Sequence, residues 1–211
     1  MSKKIYLFIE FTLLFFGIPL FIFLDKDLIH PSIFLIPAIL IISLILKYDT
    51  KFRLKELIAF QIRKADWIIH GIIVTATAIL LLVGTTLFER ENLFNLPRAN
   101  LLLFISMCFF YPLFSAFSQE VIYRTYLYRR YNTLFNTNTL FIIASSVSFS
   151  FMHIVYYSPV SILLTLGLGL YLAQVYLMTR SVLFTAILHS ILGILVFAVG
   201  LGHYFWLDMP V

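Results

Sequence analysis

The sequence predicts an all-α fold, a polytopic transmembrane bundle of about seven helices, and three observations carry that prediction. Of 211 residues, 62% are hydrophobic and 12% are charged, against roughly 45–50% and 25% in an ordinary soluble domain. A folded soluble chain must still present a substantial polar face to water, and so greasy a composition leaves too little for one. The apolar residues are gathered into successive runs of about the length that crosses a bilayer, and the basic residues concentrate in alternate linkers, the asymmetry that sets orientation.

The first run, Ile5 to Leu24, is a span rather than a signal-peptide core, because it is long and no small-residue cleavage site follows it. Six more follow at about Ile33–Leu46, Trp67–Phe88, Leu101–Tyr128, Leu140–Tyr157, Val160–Met178 and Val182–Trp206. The second is short. The fourth and seventh exceed a straight crossing and must tilt, break or project from the bilayer; Pro112, early in the fourth, is a candidate kink. With no internal repeat or low-complexity tract, the chain reads as a single transmembrane domain over 1–211, with its chemistry-bearing core at about 100–206. The lone Cys108 cannot form an internal disulfide. A net charge of +5 on helices this apolar points to anionic lipid and not to nucleic acid.

Placing the N-terminus in the cytoplasm puts Lys3, Lys4, Lys47, Lys51, Arg53, Lys55, Arg63, Lys64, Arg129, Arg130 and Arg180 inside and only Lys26, Arg90 and Arg98 outside. That bias satisfies the positive-inside rule and suggests the cytoplasmic (inner) membrane. The one sizeable linker, Lys47–Asp66, spreads Phe52, Leu54, Leu57, Ile58 and Ile62 among basic residues and reads as a short interfacial helix.

An ionisable group inside a span costs at least about 2.5–3.5 kcal/mol on insertion scales, so each needs a reason. Glu10 lies near the cytoplasmic edge and reads as a snorkelling residue. His70 and His203 lie near span ends and read as interfacial. Gly167, Gly169, Gly200 and Gly202 read as close helix approaches, and the phenylalanines and tyrosines as lipid-facing and interfacial packing.

Three places differ. The fourth run holds Ser118-Gln119-Glu120-Val121-Ile122-Tyr123-Arg124, in which Glu120 and Arg124 are i and i+4, share a helix face and can pair. The fifth holds Phe149 and His153 at the same spacing, and the seventh holds His189-Ser190-Ile191-Leu192-Gly193. Glu120 is nine residues from Arg129, and His189 is nine from Arg180, so at ~1.5 Å per residue both lie roughly 14 Å into the membrane from the basic side. His153 comes out at roughly 20 Å by the same rule, one helical turn deeper. The three can therefore meet in one intramembrane cavity, expected to open toward the cytoplasm. A carboxylate and two imidazoles suit either of two chemistries. As an acid–base set they activate water and hold an oxyanion; as ligands they could hold zinc with an open fourth position. Spacing does not separate the two.

These motifs, in this order, resemble the CAAX protease and bacteriocin-processing (CPBP, or Abi) family of intramembrane proteases, whose pattern is Glu-Glu-x-x-x-Arg, then Phe-x-x-x-His, then His-x-x-x-Asn or Asp. Here they read Gln119-Glu120-x-x-x-Arg124, Phe149-x-x-x-His153 and His189-x-x-x-Gly193. The resemblance implies a metal-independent, glutamate-type endopeptidase that cleaves a peptide or membrane-protein substrate near the cytoplasmic face. In that scheme the first Glu and the middle His activate water, while the last His and the Asn hold the oxyanion. Two of those positions depart. Gln119 cannot act as a base at neutral pH, and Gly193 offers no side-chain donor. The expectation is therefore that Glu120 takes over as base, with Gln119 donating to the oxyanion, His153 positioning water and His189 stabilising the oxyanion, while Arg124 either pairs with Glu120 or reaches for the cytoplasmic headgroups. The competing readings are a non-catalytic scaffold or immunity-type relative, favoured by the two departures, and a small proton-coupled carrier, which lacks its marker of paired broken helices.

Overall fold

A computed structural model describes residues 2–24, 39, 40, 42–44, 46–48, 52–60 and 62–206. Among them the chain is all helical, with no strand. Six helices are long and apolar enough to cross a membrane: α1 (Lys3–Leu24), α2 (Lys64–Phe88), α3 (Leu101–Tyr131), α4 (Asn138–Tyr156), α5 (Pro159–Thr179) and α6 (Val182–Val199). The run expected at Ile33–Leu46 lies largely outside the described residues. Large apolar side chains face outward all round the bundle, Phe88, Leu102 and Phe109 among them, each at least 70% exposed. A soluble protein hides such groups, and only lipid covers them without cost. The chain is an integral membrane protein.

The two over-long runs meet the bilayer in different ways. Helix α3 keeps all 31 residues helical, about 46 Å at the usual rise, and is interrupted by π-helical turns at Tyr111–Ala116 and Val121–Tyr126. The first contains Pro112, whose missing N–H cannot complete the regular ladder. Each π turn shifts the register of the side chains beyond it, a device frequent at functional sites. The final run instead breaks. Helix α6 stops at Gly200, which takes φ 108°, a left-handed cap open to glycine without steric penalty, and the chain continues as a 3-10 turn over Leu201–Phe205.

Long-range hydrogen bonds define two opposite ends of the bundle. At the basic end, Glu10 of α1 accepts from Nε and Nη2 of Arg130 (2.8 and 2.6 Å) and from the Tyr131 hydroxyl (2.9 Å). Glu10 therefore does not snorkel; it bolts α1 to the end of α3 through a two-pronged charged bond, the strong kind. The linker expected as an interfacial helix holds, between residues 52 and 60, a 3-10 turn at Leu54–Glu56 and no α-helix. It works as a strap: Ser181 donates to the Ala59 carbonyl (2.8 Å), and Arg129 lies over the Phe52 ring and 3.5 Å from Glu56. At the other end, the Phe94 amide reaches the Val199 carbonyl and Tyr204 donates to Glu89 at 2.6 Å. That bond raises the Tyr204 pKa above its ordinary value.

The core lies around α4 and α6. Helices α4 and α5 pack closest, with Ser150 donating to the Ile162 carbonyl (2.7 Å) and Gly169 set against Ser146, where a Cβ would come 3.0 Å from that residue's Cα. Small residues at such a crossing let backbones approach where no water is available to drive association. Gly167 departs from the expectation, since a Cβ there would meet nothing within 4 Å; it faces open space. The aromatic residues divide likewise. Phe11, Phe15, Tyr123, Tyr131, Phe141 and Phe149 are buried and form one internal cluster, alongside the lipid-facing set anticipated.

Candidate active site

Helix α6, the most buried of the six, carries His189 into the middle of the bundle. Its Nδ1 lies 2.9 Å from Glu120 Oε1. The other carboxylate oxygen, Oε2, accepts from Arg124 Nε at 2.9 Å, and both Glu120 and Arg124 are fully buried. Arg124 also donates to Ser145, which in turn donates to the Tyr123 carbonyl, and its guanidinium lies 5.4 Å from the Phe149 ring centroid. The i, i+4 ion pair read from the sequence is thus tied across three helices. Arg124 balances the Glu120 charge and makes no reach for the headgroups. A carboxylate only accepts, so His189 turns an N–H at Nδ1 to Glu120, and in the neutral ring the Nε2 lone pair faces away from it.

His153 is prepared in a different way. The last turn of α4 tightens to 3-10 at this residue, and its backbone N–H turns to the carbonyls of Phe151 and Ser150. The Phe149 carbonyl is left over and receives His153 Nδ1 at 2.8 Å. Again the partner only accepts, so this ring also leaves a basic Nε2. The two imidazoles lie 4.9 and 5.5 Å from the same Phe149 ring centroid, which caps their separation at about 10 Å.

Both histidines line one cavity of about 350 Å³, together with Tyr111, Phe149, Gly193 and Phe205. Its outer walls are Ile73, Thr77, Leu80 and Leu81 of α2 and Leu163, Leu164, Gly167 and Leu168 of α5. Leu80 and Leu163 at the mouth are 71% and 69% exposed, so the cavity opens sideways, between α2 and α5, into lipid. Its volume falls in the usual range for small-ligand sites, roughly 300–1,000 Å³.

Three sequence expectations need correction. Glu120 does not line the cavity; it stands behind His189 with both oxygens taken, because the α3 register points it at α6. Gln119 is also not among the lining residues; its amide nitrogen donates to Ser115 Oγ at 2.9 Å. The cavity does not open toward the basic end. Counted from that end, its lining residues on α2, α4, α5 and α6 lie about 10–25 Å along their helices, and its mouth lies between α2 and α5.

A zinc site fits poorly. Among the described residues no three His, Cys, Asp or Glu side chains converge as a ligand set, and the two Glu120 oxygens are engaged by Arg124 and by the protonated nitrogen of His189. Elsewhere, His70 is buried and bonds to Tyr171 at 2.8 Å, pinning α2 to α5 beside the cavity, and His203 bonds to the Gly200 carbonyl at 3.0 Å. One cavity residue, Tyr111, escaped the sequence reading. The available signal was a phenol beside Pro112, too deep in a span to be interfacial.

The fold and this site define a class: polytopic helical membrane proteins with a buried Glu–Arg–His cluster behind a laterally open intramembrane cavity. Residues 100–195, just under half of the chain, match a protein family described as Rce1-like, type II CAAX prenyl endopeptidase Rce1-like. The three motifs read from the sequence all fall within that stretch, so the resemblance to the CPBP proteases stands as a likeness to a membrane-protease family. No curated protein and no solved structure matches it.

Proposed function

We propose that the protein is an intramembrane endopeptidase in which His189, backed by Glu120, is the general base. The observation that carries this reading is the Nδ1–Glu120 bond, which fixes the imidazole tautomer and stabilises the imidazolium that forms during turnover, as the carboxylate does in a serine protease triad. Water held between the two Nε2 atoms attacks the scissile carbonyl carbon. A C–O bond forms, the carbonyl π pair moves onto oxygen, and the water's proton passes to His189. The tetrahedral intermediate then collapses: C=O re-forms, the C–N bond breaks, and His189 delivers its proton to the departing amine. Glu120 is a positioning residue in this scheme, and Arg124 holds it.

The likeness to CAAX prenyl endopeptidases supports a substrate carrying a prenyl group, and the apolar wall between α2 and α5 suits a lipid chain or a membrane-anchored peptide entering from the side. The test is cleavage, in proteoliposomes, of a fluorescence-quenched peptide with a prenylated cysteine four residues from its C-terminus. Replacing His189 with alanine should leave it uncut; undiminished cleavage would overturn the reading. The non-catalytic alternative draws on Gln119 and Gly193, and an inert wild type that still bound the peptide would favour it.

Cavity access gives a second expectation. Gly167 faces the cavity without a neighbour, so Gly167→Phe should fit without disturbing the helix crossing and fill much of the entry. KM should rise or turnover fall by tenfold or more, while the thermal midpoint in detergent stays unchanged. Unaltered kinetics would mean that substrate enters elsewhere.

For orientation we retain the basic end and the N-terminus in the cytoplasm, which puts the cavity toward the outer half of the bilayer and moves the proposed cleavage away from the cytoplasmic face. A cysteine at Lys55 should react with an impermeant maleimide only after the cells are opened, and one at Arg90 should react in intact cells. The reverse labelling would invert the protein and return the cavity to the cytoplasmic half.

A further inference from the structure

The position four residues past His189 is Gly193, one turn along α6 on the same face. A side chain there would have no room. A Cβ built on Gly193 would lie 2.6 Å from Cζ and 2.7 Å from Cε1 of Tyr111, with the phenol oxygen closer still. Tyr111 belongs to α3 and is the residue at which the first π turn begins. That turn and Pro112 bring its ring across the bundle to stand over Gly193, its centroid 6.1 Å from that of His189 and 6.4 Å from that of Phe197. The hydroxyl has no hydrogen-bond partner among the described residues, and Tyr111 lines the cavity with both histidines. A phenol inside a bilayer without a partner is costly to keep, and a donor aimed at a developing negative charge gives it a use.

We infer that Tyr111 is a catalytic residue, its hydroxyl supplying the hydrogen bond to the oxyanion of the tetrahedral intermediate from the space that a side chain at position 193 would otherwise fill. In the intermediate His189 holds its Nε2 proton for the departing amine, His153 Nε2 carries none, and Gln119 is off the wall, so Tyr111 is the side-chain donor at hand. Glycine at 193 and tyrosine at 111 are then one paired solution. The loss of a polar side chain from α6 is matched by a donor delivered from α3. This inference rests on the hydrolase reading above.

The experiment compares four proteins on the quenched prenylated peptide: wild type, His189→Ala, Tyr111→Phe, and the double variant Tyr111→Ala with Gly193→Asn. Tyr111→Phe keeps the ring and its packing, so its thermal midpoint should not move. Its kcat should fall by about 10²–10³, as when one oxyanion donor is removed, with KM within twofold of wild type. The double variant vacates the ring's space and returns an amide donor on α6; its kcat should exceed that of Tyr111→Phe by at least tenfold. If Tyr111→Phe keeps kcat within twofold while His189→Ala is inert, Tyr111 only packs and the inference fails while the hydrolase reading stands. If His189→Ala cleaves normally, both fail. A double variant that does not fold leaves Tyr111→Phe to decide. Should the wild type cut no peptide, the readout becomes affinity for a peptide phosphonamidate, a tetrahedral anion, which Tyr111→Phe should weaken at least tenfold; equal affinity overturns the inference.

Discussion

Glu120→Gln is expected to reduce cleavage by about 10⁴, the effect of making the equivalent change at the carboxylate of a serine protease triad. The reason is the number of acceptors. Glu120 offers one oxygen to Arg124 Nε and the other to His189 Nδ1, whereas an amide has a single oxygen and an NH₂ group. Arg124 cannot give up its protons, so the amide oxygen stays with it and the NH₂ turns to His189. The imidazole must then expose a lone pair at Nδ1 and carry its proton on Nε2, facing the cavity, where a base can no longer act. A ¹⁵N spectrum of histidine-labelled protein should show that tautomer change directly. Gln119→Glu, by contrast, should leave turnover within a few-fold, since that side chain points to Ser115. Full activity in Glu120→Gln, or abolition by Gln119→Glu, would contradict the assignment.

Arg124→Ala is expected to destabilise the fold by about 3–5 kcal/mol, the usual cost of stranding one member of a buried ion pair. Arg124 is completely buried, and its loss would leave Glu120 facing only a neutral imidazole, strip Ser145 of a donor and open a void beside Phe149. Arg124→Met combined with Glu120→Gln should recover most of that stability, because exchanging a whole buried pair for uncharged groups is often neutral, yet it should remain inactive. Thermal unfolding in detergent, monitored by tryptophan fluorescence, separates the two variants. A single Arg124→Ala variant as stable as the wild type would mean that water reaches Glu120 and that the cluster is not sealed.

Membrane insertion was legible in the sequence because it depends on the summed transfer energies of long apolar runs, a local property. The spans α1 to α6, the basic asymmetry and the pairing of Glu120 with Arg124 all follow from spacing along one helix. What spacing along a helix cannot carry is the relation between helices. The bond from Glu120 to His189 joins residues 69 apart, and it decides that the carboxylate stands behind the imidazole and not in the cavity. The π turns of α3 left no trace in its pattern, since a helix apolar on nearly every face has no periodicity from which a register shift could be read. They nonetheless aim Tyr111 at Gly193, so that an apparent loss at position 193 becomes legible only with α3 in place beside α6. The mouth of the cavity was decided in the same way. Depths counted from the sequence brought His153 and His189 to within one turn of each other, but the opening lies between α2 and α5, two helices whose neighbourhood no spacing along either one prescribes.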